Sequence, residues 1–339
     1  MRAAIFRDGA IVVGDIPEPR PAAGQVLVKT VACGICGSDL HAARHAPNMV
    51  AMTKRVSGRT PMDLSRDVVF GHEFCGEILE YGPDTEHRLK LGARVVAMPI
   101  MPAGDTRFTI GYSNDYPGGY GERMVLAAPL LLEVPNGLSA AHAALTEPLA
   151  VGIHAVEKAA LQKGDAPVVV GCGPVGLAVI VGLRLKGFHP IIAADFSPKR
   201  RELALRMGAD LVIDPAKEAP YGKLAPGHRA VIFECVGVPG LLQQIFEAAP
   251  RDSRIVVAGV CMEPDRIEPF FGIVKELSLQ FVLGYTPEEF AWCLRLLAEG
   301  QVDAEGLVTG KVGLDGVKDA FVELGNPEHH TKILVEPWR

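Results

Sequence analysis

The sequence has no long apolar run and no excess of basic residues. No stretch approaches the roughly 18 apolar residues that a membrane-spanning helix needs, and the opening residues, MRAAIFRDGA, lack the apolar core and cleavage site of a signal peptide. The formal net charge is -6, whereas proteins that bind nucleic acid usually carry a basic surface. We therefore expect a cytoplasmic protein whose partners include neither a membrane nor nucleic acid.

Cysteine is also scarce. The chain of 339 residues has seven cysteines, and an odd number without a secretion signal indicates reduced thiols rather than a disulfide framework. Hydrophobic residues make up 48% of the chain and charged residues 22%, as in soluble globular proteins. Because the chain is too long for one hydrophobic core, its length predicts two domains or three.

The apolar pattern changes near residue 150. Residues 1–150 contain short strand-like runs separated by turns. From 151 to 299 strands alternate with glycine-rich turns and amphipathic helices, which is typical of a parallel sheet covered by helices. This segment has enough apolar runs for six strands, and the tail from 300 to 339 ends in a predicted strand that could return to the first domain. The fold class is therefore α/β.

A glycine-rich motif lies between a predicted strand and a predicted helix. Its GxGxxG spacing is typical of a dinucleotide site, in which the helix N-terminus faces the pyrophosphate, and its residues are Gly171, Cys172, Gly173, Pro174, Val175 and Gly176. Asp195 follows Gly176 by 19 residues, where an acid would accept hydrogen bonds from the ribose and repel a 2′-phosphate. This favours NAD over NADP. Arg200 is a further candidate for a ribose or phosphate contact, or a plain solvated residue.

The segment CGICGSDLH contains a CxxC pair, Cys33 and Cys36. A zinc ribbon would need a second CxxC, which the sequence lacks, and a thioredoxin-like motif would precede a helix in a different setting. Cys33 fits a small core residue. Farther along, His72 and Glu73 are neighbours, and Glu147 lies near the domain boundary, so that with Cys36 the chain offers one sulfur, one nitrogen and two oxygen ligands. A catalytic zinc uses three protein ligands and leaves one position open.

The order of five motifs resembles that of zinc-dependent medium-chain dehydrogenases, above all the sorbitol and polyol branch. The motifs are CGICGSDLH, GHE, GGYGERMVL, EPLAVGIHAV and GCGPVGL. The resemblance covers nearly the whole chain. It implies a GroES-like, mostly β catalytic domain built from both chain ends and a Rossmann domain, a doubly wound parallel sheet, inserted between them. It also implies one catalytic zinc, NAD and a homo-oligomer, either a dimer or a tetramer.

The resemblance also assigns roles to single residues. It implies that Cys36 and His72 bind zinc, and that Glu73 and Glu147 either bind the metal or hold its water, without deciding between them. Ser38 matches the hydroxyl that contacts the substrate oxygen, and His41 matches the end of the proton relay. The implied reaction moves a hydride between a secondary or polyol-type alcohol and the cofactor.

Two segments depart from a simple match. Many relatives carry a four-cysteine zinc lobe before the nucleotide domain, but Cys75 is the only cysteine from 73 to 171, and residues 101–120 take the place of that lobe. Residues 42–70 are the expected pocket walls and contain five basic and two acidic residues, a balance of +3. An anionic or bulky alcohol, a solvated loop or a subunit contact would each explain these charges.

Two other functions compete with a zinc dehydrogenase. A zinc-free quinone or enoyl reductase of the same superfamily would use the cofactor without a metal, and a non-catalytic protein could keep the fold and bind NAD. Either would be expected to have lost part of the ligand set or the nucleotide acid. Both are intact in this sequence.

Overall fold

The computed structural model describes residues 1–135, 137–225 and 227–339. The chain divides into two compact units. The first unit comprises Met1–Glu147, Phe290–Asn326 and Lys332–Arg339, and the second comprises Pro148–Glu289 and Pro327–Thr331. None of the described helices has the length and apolar character needed to cross a membrane.

The strands are numbered in chain order. They are β1 (Arg2–Arg7), β2 (Ala10–Asp15), β3 (Gln25–Gly34), β4 (Glu73–Tyr81), β5 (Arg94–Ala97), β6 (Ile100–Ala103), β7 (Thr106–Thr109), β8 (Arg123–Ala127), β9 (Leu131–Glu133), β10 (Asp165–Val170), β11 (Ile192–Ala194), β12 (Leu211–Ile213), β13 (Arg229–Glu234), β14 (Arg254–Val257), β15 (Ser278–Phe281), β16 (Gly310–Val312) and β17 (Ile333–Val335).

The helices are numbered in the same way. They are α1 (Gly37–Arg44), α2 (Ala46–Ser57), α3 (Ala140–Ala143), α4 (Thr146–Ala159), α5 (Pro174–Leu185), α6 (Pro198–Met207), α7 (Leu241–Ala248), α8 (Pro269–Lys275), α9 (Pro287–Ala298) and α10 (Val317–Glu323). Short 3₁₀ helices cover Ala128–Leu130, Pro220–Lys223 and Leu314–Gly316.

The first unit is built around a seven-stranded sheet. Its order is β16-β17-β3-β4-β5-β9, and β8 pairs with β3 as well. The long strand β3 carries apolar residues that pack with Ile5, Phe70 and Tyr120 in one core. The last strand of the chain, β17, pairs antiparallel with the end of β3, with Leu334 opposite Gly34. The two ends of the chain therefore share one sheet.

Helix α2 was not predicted from the sequence. Pro47 occupies its first turn, and Gly58 ends it with a φ of 73°, which are ordinary start and stop signals. The apolar periodicity is weak because only Ala46 is fully buried, while Met49 and Val50 touch the core from a half-buried position. A helix that buries so narrow a stripe gives little signal at a 3.6-residue period.

The second unit confirms the predicted doubly wound parallel sheet. Its six strands run in the order β12-β11-β10-β13-β14-β15, and every neighbouring pair is parallel. This is the 3-2-1-4-5-6 order of dinucleotide-binding sheets, in which ligands bind beyond the carboxyl ends of the strands where the order reverses. Here the reversal lies between β10 and β13, so the turn after β10 stands at the expected ligand position.

Candidate functional site

The predicted metal-binding residues meet where β3 and β4 lie side by side. Glu73 begins β4 and is opposite Gly34, the last residue of β3, so Cys36, at the start of α1, comes close to His72 and Glu73. One ligand atom from each of these three residues lies within 4.8 Å of the others. Sulfur, imidazole nitrogen and carboxylate oxygen form a donor set that suits zinc.

A buried carboxylate orients the imidazole of His72. Nδ1 of His72 lies 3.3 Å from Oδ1 of Asp39, whose side chain is fully buried. A metal-binding histidine usually has a carboxylate or carbonyl on its other nitrogen, so this arrangement leaves Nε2 for a ligand. Burial would raise the pKa of Asp39, but its interactions with His72 and Tyr120 outweigh this and lower the pKa. Asp39 is therefore an ionised acceptor.

Two tyrosines complete the surroundings of Asp39. The hydroxyl of Tyr120 donates to Oδ2 at 2.7 Å, and that of Tyr112 lies 2.9 Å from Oδ1 and 2.9 Å from Ser38 Oγ. Burial, together with the charge of Asp39, raises the pKa of both phenols well above the usual value. Because a phenol has one proton and the carboxylate only accepts, Tyr112 donates to Asp39, and its oxygen can accept the Ser38 proton.

Glu73 has its own buried cation. Nζ of Lys332 lies 2.7 Å from each carboxylate oxygen of Glu73 and donates to the Ile35 carbonyl at 3.0 Å. Lys332 is 2% exposed and Glu73 is 0% exposed. Burial would lower the pKa of Lys332, but the charge of Glu73 outweighs it and raises the pKa. The lysine thus holds one carboxylate of the cluster in place.

The other predicted site residues, Glu147, Ser38 and His41, lie outside the three-residue cluster. Glu147 is buried in the first turn of α4; its charge also raises the pKa of Lys332, although the described 4.8 Å cluster does not include its carboxylate. Ser38 and His41 are three residues apart on α1, so their side chains share one face. Cys33 is fully buried in the core, which confirms its predicted structural role.

The glycine motif forms the turn between β10 and α5. Gly171 has a φ of 92°, which favours glycine. A methyl group at Gly176 would collide with the carbonyl oxygen of Gly171, so glycine lets α5 approach the turn. A methyl group at Gly173 would meet only a guanidinium nitrogen of Arg200, at 4.0 Å. Pro174 and Val175 begin the helix, and the space beside the turn is open for a phosphate.

Asp195 and Arg200 stand beside this turn. The carboxylate of Asp195 accepts from the backbone N–H of Cys172 and from that of Ser197, both at 2.8 Å. Nη1 of Arg200 lies 3.9 Å from Asp195 Oδ2, and its buried Nε has no hydrogen-bond partner within the described parts of the chain. A buried donor without a partner costs free energy, and a nucleotide at this position could supply an acceptor.

Sequence reasoning missed four groups around the metal cluster: Asp39, Tyr112, Tyr120 and Lys332. Asp39 lies within the CGICGSDLH motif, so its position could have indicated a role at the site. As the third residue of α1 it also accepts from the Cys36 backbone N–H, and this capping role is enough to explain an acid there. Tyr112 belongs to a segment without regular pattern. Lys332 is distant in sequence from Glu73, and buried lysines are too rare to predict.

A doubly wound nucleotide sheet and a largely buried Cys–His–Glu cluster define the class of metal-assisted, nucleotide-dependent oxidoreductases. Residues 22–136 match the family model of the alcohol dehydrogenase GroES-like domain, and residues 174–299 match that of zinc-binding dehydrogenases. The described chain thus combines the two parts that the sequence motifs predicted.

Whole-chain comparisons agree with the two family models. The chain is 34% identical to an (R,R)-butanediol dehydrogenase from Bacillus subtilis, over 96% of both chains. It is 33% identical to an erythritol/L-threitol dehydrogenase from Mycolicibacterium smegmatis, over 95% of this chain and 92% of the relative. The crystal structure of 2R,3R-butanediol dehydrogenase from Bacillus subtilis superposes with a TM-score of 0.83 at 31% identity, over 99% of both chains.

The chain belongs to the zinc-type medium-chain dehydrogenase/reductase family. The GroES-like and Rossmann fold classes and the prediction of an alcohol dehydrogenase are therefore confirmed.

The Lys332–Glu73 pair leads to a stability prediction. Lys332→Met leaves a buried carboxylate without its cation, which costs about 3–5 kcal/mol when a buried pair loses one partner. When both proteins have been treated with chelator, we expect Lys332→Met to melt at a much lower temperature than wild type. The double variant Glu73→Gln, Lys332→Met should recover most of that loss, because neither charge remains. Thermal unfolding of both variants tests this, and equal instability of the single and double variants would contradict it.

Proposed function

We propose that this protein is an NAD-dependent, zinc-containing dehydrogenase of secondary or polyol-type alcohols. The observation that carries the proposal is the cluster of Cys36, His72 and Glu73, in which His72 and Glu73 are buried and Asp39 lies beside the far nitrogen of the histidine. The named relatives act on butanediol and on erythritol or L-threitol, and these substrates support a polyhydroxy alcohol.

In this proposal Cys36, His72 and Glu73 hold one zinc ion, and Glu147 holds the water or substrate beside it. The proximity of Glu73 to the other two donors favours this assignment, whereas Glu147 stands outside that cluster. Bound zinc supplies a positive charge that favours loss of the alcohol proton. Asp39 fixes the histidine ring, and Lys332 fixes the Glu73 carboxylate.

Ser38 and His41 would move the proton. Ser38 Oγ lies 3.4 Å from Nε2 of His72, so it is beside the nitrogen that faces the cluster. The Ser38 hydroxyl would accept the substrate proton and pass one on, and His41, one helical turn away, would deliver it towards solvent. Tyr112 can accept the Ser38 proton in the resting state, which orients the serine oxygen.

The nucleotide contacts proposed for NAD are those of the turn and the acid beyond it. Gly171, Gly173 and Gly176 leave room for the pyrophosphate, and Pro174 and Val175 open the helix towards it. Asp195 is held against the turn through Oδ2, which accepts from the Cys172 N–H, and its carboxylate would accept from the ribose hydroxyls. Its negative charge would oppose a 2′-phosphate, and Arg200 would contact the phosphate or ribose.

The free edge of the nucleotide sheet supports a homo-oligomer. The edge strand β15 is exposed along its whole length, and Phe270, Ile273 and Leu283 near it are 71%, 73% and 88% exposed. An exposed edge strand can pair with another chain, and apolar side chains of this size favour burial. We propose that a second copy covers this edge.

The zinc assignment predicts metal contents. Cys36→Ser and His72→Ala should purify with less than half a zinc per chain and lose alcohol oxidation, while NADH binding, followed by fluorescence, persists. Glu73→Gln should also lose zinc, whereas Glu147→Gln should keep it and lose turnover. A wild type with less than about half a zinc per chain, purified without chelator, would instead support the zinc-free reductase.

The nucleotide assignment predicts a change in cofactor preference. Wild type should have a higher kcat/KM with NAD than with NADP, and Asp195→Ala should narrow that ratio by at least about tenfold, since it removes a charge that opposes the 2′-phosphate. Asp210→Ala is the matched control, because Asp210 is an acid of the same unit that precedes a different strand, β12. This variant should leave the ratio unchanged. A wild type that prefers NADP would contradict the assignment.

The oligomer proposal predicts a mass in solution. Wild type should elute as a dimer or tetramer in light scattering, and Ile273→Glu combined with Phe281→Glu should shift it to monomer. Val322→Glu is the control, because Val322 is 71% exposed in the other unit. A monomeric wild type at micromolar concentration would refute the proposal.

A further inference from the structure

A groove of about 830 Å³ lies in the first unit, beside the metal cluster. One wall is α2, from Met49 to Ser57, and the other is the β6–β7 hairpin with the residues that follow it. Its volume falls in the range of pockets that bind small organic molecules. The nine residues from Met49 to Ser57 are separated by eight helical rises and span about 12 Å, which is longer than a short diol.

Tyr112 connects this groove to the proposed catalytic residues. It lines the groove, while its hydroxyl lies 2.9 Å from Ser38 Oγ and its ring centroid lies 5.2 Å from that of His72. The groove thus lies one tyrosine side chain away from Ser38, where the reacting hydroxyl of a substrate would bind.

The groove carries two arginines without partners. Arg59 and Arg107 line it, and both are exposed. In the ranges that the structure describes, neither guanidinium forms an ion pair or hydrogen bond, whereas Arg7 is paired with Asp67 and Arg66 with Asp115 in the same unit. The lining therefore includes two guanidinium groups that are free to bind an anion.

The remaining polar lining suits a hydroxylated chain. Thr53, Thr106 and Thr109 line the groove on its two walls, and a threonine hydroxyl can both donate and accept a hydrogen bond. Asp105 is the one carboxylate among the described lining residues, so the charge of the lining is positive on balance. Neutral hydrogen-bonding groups together with guanidinium groups match a polyol chain that carries a negative charge.

We propose that this groove binds the distal part of the substrate, and that the substrate is a polyol chain with a terminal carboxylate or phosphate held by Arg59 and Arg107. This inference rests on the proposed function and deepens it. Guanidinium groups match both anions through paired N–H donors. Of the explanations for the basic segment 42–70, a substrate contact is thus favoured for Arg59.

The first test compares matched substrates. Wild-type holoenzyme is assayed with NAD and three probes of equal chain length: a hexitol, a hexonate and a hexitol 1-phosphate. We expect a kcat/KM at least about tenfold higher for one of the two anionic probes than for the neutral hexitol, because charged hydrogen bonds at the far end add binding energy. The two anionic arms distinguish carboxylate from phosphate.

The second test removes the guanidinium groups. Arg59→Gln and Arg107→Gln should each raise KM for the preferred anion about tenfold, while kcat/KM for the neutral hexitol stays within about twofold. Arg55→Gln is the matched control, because Arg55 is likewise an exposed arginine, on α2, but does not line the groove. This variant should leave KM for the preferred anion and kcat/KM for the neutral hexitol unchanged.

The outcomes separate this inference from the proposed function. If wild type oxidises the neutral hexitol as well as the anions, or if Arg59→Gln and Arg107→Gln affect all probes alike, the anion site is refuted and the dehydrogenase remains. If wild type oxidises none of them, calorimetric titration of hexonate and hexitol 1-phosphate decides: binding that both substitutions weaken supports the site, and no binding overturns it.

Discussion

The buried ion pair between Lys332 and Glu73 is the interaction on which the rest of the site depends. Two charges removed from water are tolerable only with close, well-directed partners, and Lys332 provides them by contacting both Glu73 oxygens and the Ile35 carbonyl. The lysine immediately precedes β17, so it joins the last strand of the chain to the start of β4 and to the turn before Cys36. The Glu73 carboxylate is therefore held in the cluster by a residue from a segment far away in the sequence.

The site contains two buried carboxylates, Asp39 and Glu73, and their surroundings differ. The Asp39 carboxylate accepts from Tyr112 and Tyr120 and lies 3.3 Å from Nδ1 of His72, whereas both oxygens of the Glu73 carboxylate contact the Lys332 ammonium. Asp39 stays charged and orients a neighbouring ring, while Glu73 keeps an oxygen near the other donors. Similar carboxyl groups thus acquire different tasks from their surroundings.

The segment 101–120 contributes to the site from two directions. It supplies Tyr112 and Tyr120 as hydroxyl groups around Asp39. Its β6–β7 hairpin also forms one wall of the groove that ends at Tyr112. Positioning of the imidazole and the shape of the space beside it are therefore coupled through one short stretch of chain.

The sequence by itself determined the fold class, the glycine turn and the family, because strand and helix periodicities are local and the motifs occur in a specific order. It also predicted Cys36, His72 and Glu73 as candidate metal ligands, because their side chains carry the donor atoms that zinc prefers. Only the tertiary structure decided what holds them. Lys332 meets Glu73 because β17 pairs with β3, which pairs with β4, although the two residues are far apart in the sequence. Asp39 both caps the N-terminus of α1 and lies beside the imidazole of His72, and the local sequence does not distinguish these two roles. Long-range pairing and burial, unlike periodicity, leave no mark at a fixed spacing.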